Sequence, residues 1–133
     1  MAEAIARHLI DQGLLGDGPG FVVASAGVAA GRGAPMTPEA AVALVALGID
    51  HDGASKPLTG ELMRDADLVF GLTEGHVRVA RGMAGSEHDQ RIMRLDPEGD
   101  IEDPIGLNQS AYDALARRLM ELIPRRLKEL IHV

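Results

Sequence analysis

The chain has 133 residues, a formal net charge of −7 and no cysteine. That length fits one domain with a respectable core, and the acidic balance excludes a protein that works by covering phosphate backbones, which takes a clustered basic face. The missing cysteines exclude disulfides, thiolate metal sites and a cysteine nucleophile within these residues, and an aromatic content of 2% removes the platforms on which bases stack.

MAEAIARHLI opens the chain as a helix, with Ala2, Ile5, Leu9 and Ile10 on one face and Glu3 four residues before Arg7 in the favourable ion-pair order. No Ser, Thr, Asp or Asn precedes it to cap the first N–H groups, so the helix is expected to grow out of a segment ahead of Met1. The charged residues Glu3, Arg7 and His8 exclude a signal peptide, and no apolar run reaches the roughly 18 residues of a membrane span. A soluble cytoplasmic protein with no membrane and no nucleic-acid partner is expected.

After the breaker GDGPG, the apolar run FVVASAG within residues 20–27 reads as a buried strand. MTPEAAVALVALGID is a helix capped by Thr37, with Pro38 at its first position and Gly48 at its end. Residues 65–73, DADLVFGLT, form a second strand, and Thr73 caps a short helix over EGHVRVARGM. RIMRL, at 91–95, is a third strand. An acidic loop, DPEGDIEDPIG, leads to a last helix with Ser110 and Asp113 as a capping box and Tyr112, Leu115, Leu119, Leu122 and Ile123 on one face. Pro124 inside that helix is expected to kink or restart it.

The alternation of strand and helix predicts an α/β fold: three layers, a parallel sheet flanked by helices on both faces, joined by right-handed crossovers. Because this cycle begins with a helix, a first strand is expected ahead of it and is absent from the chain. Residues 1–133 then read as a single domain, truncated at its N-terminus.

Ligands of open parallel sheets bind at the carboxyl ends of the strands, so the loops there are where chemistry is sought. The acidic loop from Asp96 to Asp103 fails the calcium-loop pattern, since Pro97 follows the first Asp, Ile101 replaces the central Gly and Leu107 stands at the bidentate Glu position. A solvated turn is the preferred reading. GVAAGRGAP lacks the Lys of a phosphate loop and the third Gly of a dinucleotide fingerprint, so it reads as a loop. Ser25 is only loosely a nucleophile elbow, with Val23 at the first glycine position, and the histidines at 8, 51, 76, 88 and 132 lack ligand spacing. No metal or cofactor is expected. Asp103, stiffened by Pro104, is either a turn aspartate or a general acid, and spacing alone leaves both open.

MAEA opening a helix, SAG closing a strand, TPEAAVALVALGID, KPLTGELMRDADLVFGLT and DPIG before a long last helix occur in this order along essentially the whole chain. The ordered set resembles the low-molecular-weight phosphotyrosine phosphatases, which include bacterial protein arginine phosphatases. Their signature is a loop of Cys, five residues, Arg and Ser or Thr, and Met1–Glu3 resemble the helix start that comes directly after that loop, so the resemblance implies that the missing piece is the family's first, central strand with the phosphate loop. The resemblance implies a phosphocysteine mechanism in which a thiolate at a helix N-terminus attacks phosphorus and an Asp protonates the leaving group, then activates water.

Carried onto this chain, Asp103 is the general acid and base, Ser25 supports the phosphate loop, and the nucleophile has no counterpart. Gly53 stands where many members have a supporting histidine, with His51 nearby, and Ile105 and Gly106 replace the aromatics that follow Asp-Pro in tyrosine-specific members. The substrate implied is a phosphorylated protein, with phosphoarginine or another phosphoprotein group favoured over phosphotyrosine, and hydrolysis is absent from the chain as written. The alternative is a non-catalytic relative that binds rather than hydrolyses. Exposed sheet edges lead one to expect self-association.

Overall fold

A computed structural model describes residues 1–14, 23–25, 37–49 and 59–131. Five α-helices are described: α1 (Ala2–Asp11), α2 (Pro38–Ala46), α3 (Gly60–Asp65), α4 (Glu74–Ala84) and α5 (Gln109–Leu130). Two strands, β1 (Val69–Gly71) and β2 (Ile92–Arg94), and a 3-10 turn at Ser86–Arg91 complete the described elements. These fall into two compact units, one containing α1, α2 and α5, the other containing α3, β1, α4 and β2 and ending at Asp103.

In the first unit, α2 packs on α5 through Ala40, Ala43, Tyr112 and Ala116, with Met1 and Leu47 against the cluster. Three of these four buried side chains are alanines, which let the helix backbones approach while Tyr112 fills the remaining volume. The start of α2 is as its sequence predicts: Thr37 Oγ1 accepts from the Ala40 N–H at 3.4 Å, and Pro38 occupies the first turn, where its missing N–H costs nothing. Its end is a Schellman motif. Gly48 has φ +75°, its N–H donates to Val45 O, the Ile49 N–H donates back to Leu44 O at 2.9 Å, and both Leu44 and Ile49 are buried.

The start of α1 has no side-chain cap among the described residues, and Ala4 and Ile5 are its buried residues. The last helix departs from expectation at its start. Asn108, not Ser110, is the N-cap: its side-chain oxygen accepts from the Ala111 N–H at 3.1 Å, and the helix starts one residue later, at Gln109. Asp113, expected to close the capping box, instead accepts from Gln109 Nε2 at 2.9 Å, while the same amide donates to Glu39 O at 2.8 Å. Asx and Ser side chains cap equally well, and the earlier position is the one from which Gln109 reaches the start of α2. At Pro124, where a kink or a restart is expected, there is no restart: α5 continues as one helix of 22 residues. Buried Leu122, Ile123, Arg126 and Leu127 on both sides of the proline outweigh the one lost backbone bond.

In the second unit β1 and β2 are parallel, in the register Val69↔Ile92, Phe70↔Met93 and Gly71↔Arg94. The two strands are joined through α4, the β-α-β connection that parallel pairing requires. Met63, Val77, Ala80, Ala84 and Ile92 form the core, with Leu62 and Val69 packed against it. Gly71 is where strand and helix come closest: a Cβ there would lie 2.8 Å from Val77 Cγ2 and 3.0 Å from the Val77 backbone nitrogen. Two elements were not foreseen, the 3-10 turn and α3. The latter is capped by Thr59, whose Oγ1 accepts from the Leu62 N–H at 3.2 Å.

Of the expected strand at 20–27, Val23–Ser25 are described and are not in a ladder among the described residues; the rest lies outside them. No helix among the described residues is long and apolar enough to cross a membrane.

Candidate active site

After β2 the chain enters the acidic loop, where Asp96 and Asp100 are engaged locally. Leu95 is buried and its N–H donates to Gly71 O at 2.9 Å, so the loop leaves the sheet in register. Asp96 Oδ1 accepts from the Glu98 N–H at 2.9 Å, an Asx turn that reverses the chain over Pro97 and Glu98. Asp100 Oδ1 then accepts from the Glu74 N–H at 2.9 Å, at the first residue of α4. Thr73 takes the His76 N–H at 3.2 Å, so two side chains satisfy the open donors at that helix start.

Arg94, the last residue of β2, closes the loop. Its NH1 lies 3.3 Å from Asp100 Oδ1, its NH2 donates to Pro97 O at 3.2 Å, and its Nε stands 3.9 Å from Glu74 Oε2. Next, Ile101 is 1% exposed and its N–H donates to Leu72 O at 2.8 Å. Asp103 follows two residues later, exposed, at the end of the second unit. A carboxyl on a short segment tied to the sheet's carboxyl end has what a proton donor needs: solvent contact and a fixed stem.

In the first unit, Pro104 O accepts from the Leu107 N–H at 2.8 Å, closing a turn whose third residue, Gly106, has φ +83°. That is the position at which a turn of this kind calls for glycine. Ile105 and Leu107 project from it, 67% and 61% exposed.

Ser25 lies in the first unit, where its Oγ donates to Glu3 Oε1 at 2.9 Å. Glu3 also pairs with Arg7 at 3.4 Å, and Arg7 NH2 donates to Val23 O at 2.6 Å, so the first two turns of α1 hold the Val23–Ser25 segment by both ends. The 22-residue separation of Ser25 from Glu3 has no signature in the sequence. Arg94 and Asp100 were likewise missed, although an Arg ahead of five carboxylates was a usable signal.

Gly53, His51 and the glycine-rich GVAAGRGAP segment lie outside the described residues. His88 is occupied structurally, near Glu87 at 3.4 Å and beside Arg91, whose guanidinium also bonds Ala66 O. Among the described residues no group of three or more His, Asp or Glu side chains is arranged to hold a metal ion. The chemistry present is therefore that of carboxyls and a hydroxyl, without a thiol anywhere in the 133 residues.

The family model for low molecular weight phosphotyrosine protein phosphatase matches residues 1–132. The chain is 32% identical to a protein-arginine-phosphatase of Bacillus subtilis, over 98% of this chain and 87% of that protein. Among solved structures, a YwlE mutant from Bacillus subtilis superposes with a TM-score of 0.85 at 30% identity, covering 97% of this chain and 87% of that one. A low molecular weight protein tyrosine phosphatase from T. tengcongensis gives 0.83 at 31% identity, covering 97% and 88%. The ordered strand, helix and loop sequences, the parallel β-α-β unit and a match over nearly every residue lead to one conclusion: this chain belongs to the low-molecular-weight phosphotyrosine protein phosphatase family.

Proposed function

We propose that this chain supplies the acid half of a phosphoarginine-directed protein phosphatase, with Asp103 as general acid and base and Ser25 supporting the phosphate loop. Phosphocysteine chemistry needs a thiolate, and these 133 residues contain none, so the chain by itself does not hydrolyse phosphate. With a thiolate supplied by a Cys-x5-Arg-Ser loop, sulfur attacks phosphorus and the bond from phosphorus to the leaving nitrogen or oxygen breaks. Asp103 gives that atom its proton. As a carboxylate, Asp103 then takes a proton from the water that attacks the phosphocysteine, and the thiolate departs.

The observation that carries the substrate class is the turn after the acid. Ile105 and Gly106 stand where tyrosine-directed members of the family have aromatics, and the exposed Ile105 offers no ring face to sandwich a phenyl group. Identity of 32% to a protein-arginine-phosphatase supports the same reading. The absence of cysteine favours a second reading, a relative that binds phosphoproteins without turning them over.

The test is turnover by the 133-residue chain and by the same chain preceded by a family strand and Cys-x5-Arg-Ser loop. The expected result is no turnover by the first and hydrolysis of phosphoarginine over phosphotyrosine by the second. There, Asp103→Asn should slow phosphoarginine hydrolysis by about 10²–10⁴-fold. Turnover by the chain alone, a preference for phosphotyrosine, or indifference to Asp103→Asn would each overturn the corresponding part.

A further inference from the structure

We infer that Arg94 and Asp100 are positioning residues for the general acid: together they clamp the loop between β2 and Asp103 onto the start of α4, and so fix the stem from which Asp103 projects. The inference rests on the assignment of Asp103 as acid and goes beyond it, because both clamp residues act through this chain's own loop and helix start.

A proton donor in a loop acts only when its carboxyl stays within hydrogen-bond reach of the leaving atom, and a displacement near 1 Å can cost about 10²-fold. Between Arg94 and Pro104 no residue lies in a strand or helix, so fixation has to come from side chains and isolated backbone bonds. The loop also works against itself, since Asp96, Glu98, Asp100, Glu102 and Asp103 place five carboxylates in eight residues.

Arg94 answers both problems. Its guanidinium reaches Asp100 Oδ1 at 3.3 Å and Pro97 O at 3.2 Å, binding both limbs of the loop, and stands 3.9 Å from Glu74 Oε2. The Arg94 side chain is 30% exposed and its partners Asp100 and Glu74 are more so, and what sets it apart from a single surface ion pair is that one guanidinium meets three groups at once. Asp100 Oδ1 simultaneously takes the Glu74 N–H at 2.9 Å, so one oxygen joins the loop to the positive end of α4. Arg94 thus stands between the Glu74 and Asp100 carboxylates and offsets their mutual repulsion.

The clamp delivers its constraint through the next residue. Ile101, buried and bonded to Leu72 O at 2.8 Å, is the last fixed point before Asp103. Leu72 lies between β1 and Thr73, so the acid's stem and the capped start of α4 are held by the same short stretch of chain. Releasing Asp100 frees the residue immediately before that fixed point.

Two measurements test this. In the 133-residue chain, Arg94→Met and Asp100→Ala should raise amide exchange by about tenfold or more across Glu74 and residues 96–103, while α5 exchanges as before. Asp100→Asn, which keeps an acceptor for the Glu74 N–H, should fall between these and the unaltered chain. Unchanged exchange in the loop, or a rise spread equally over α5, overturns the clamp.

In the chain carrying the Cys loop, the same variants should lower kcat/KM, which reports only the transfer to cysteine, by about tenfold or more for phosphoarginine and phenyl phosphate. They should spare kcat/KM for p-nitrophenyl phosphate, whose leaving group departs with little help from an acid, whereas the later hydrolysis of phosphocysteine is common to all three. Equal losses on all three substrates mean a merely structural role and overturn the inference. Sensitivity to Asp103→Asn without sensitivity to Arg94→Met overturns the positioning role while leaving the acid assignment standing. Insensitivity to Asp103→Asn removes the acid assignment and the inference with it.

Discussion

Gly71 packs against α4 and Gly82 lies within it, and replacing each by alanine should move stability in opposite directions. At Gly71 the added carbon would meet Val77 Cγ2 at 2.8 Å, the Val77 nitrogen at 3.0 Å and His76 Cβ at 3.2 Å. Carbon contacts are comfortable at about 3.5–4.0 Å, so several tenths of an ångström of overlap must be relieved. The neighbours cannot give easily: one is helix backbone, and a β-branched Val in a helix is held to one rotamer. Overpacking of this kind costs about 1–3 kcal/mol.

At Gly82, inside α4, a Cβ would meet nothing within 4 Å, so Gly82→Ala removes only the entropy penalty of glycine and should gain about 0.5–1 kcal/mol. With unfolding entropies near 2.1 cal/mol/K per residue, 133 residues translate 1 kcal/mol into about 4 °C. Gly71→Ala should therefore lower the melting midpoint by about 4–12 °C and Gly82→Ala raise it by about 2–4 °C, read by circular dichroism and checked by urea titration with m unchanged. A Gly71→Ala protein as stable as the unaltered chain would refute the close packing of β1 on α4.

Three further outcomes are expected. Ile92→Ala, at a position 1% exposed in the core of the second unit, should cost about 2–5 kcal/mol in urea unfolding and expose the β1–β2 amides to exchange. Asn108→Ala should cost about 1 kcal/mol by loss of the α5 cap, whereas the exposed Ser110→Ala should stay within about 0.5 kcal/mol; equal effects would return the helix start to Ser110. Pro124→Ala should stabilise the chain by about 1–3 kcal/mol, since it restores a backbone bond inside a helix that already runs through this position; a loss measured by calorimetry would contradict it.

The sequence by itself determined the elements whose signals are local. Thr37 with Pro38, Thr73, and Gly48 are each legible because a cap or a left-handed turn depends on one residue's own chemistry, and the structure has all three at work. The parallel pairing of the strands at 69–71 and 92–94 was legible from their alternation with a helix. The ordered segments from MAEA to DPIG carried the family, which the match over residues 1–132 bears out.

What only the tertiary structure decided depends on partners far along the chain. Asn108 takes the cap because Gln109 then reaches Glu39, 70 residues away, and Ser110 in the sequence looks equally good. Pro124 does not end α5, because burial on both sides of it outweighs one backbone bond. Helix α3 was hidden within an apparent run toward the strand, its short length leaving too few turns for periodicity to speak. The acidic loop is the plainest case. Its composition says only that it is charged, whereas its fold assigns Asp96 to a turn, Asp100 to a helix cap and Arg94 to the bond between them. Hydrogen bonds select partners by position in space, and a sequence records only the order in which those partners are joined.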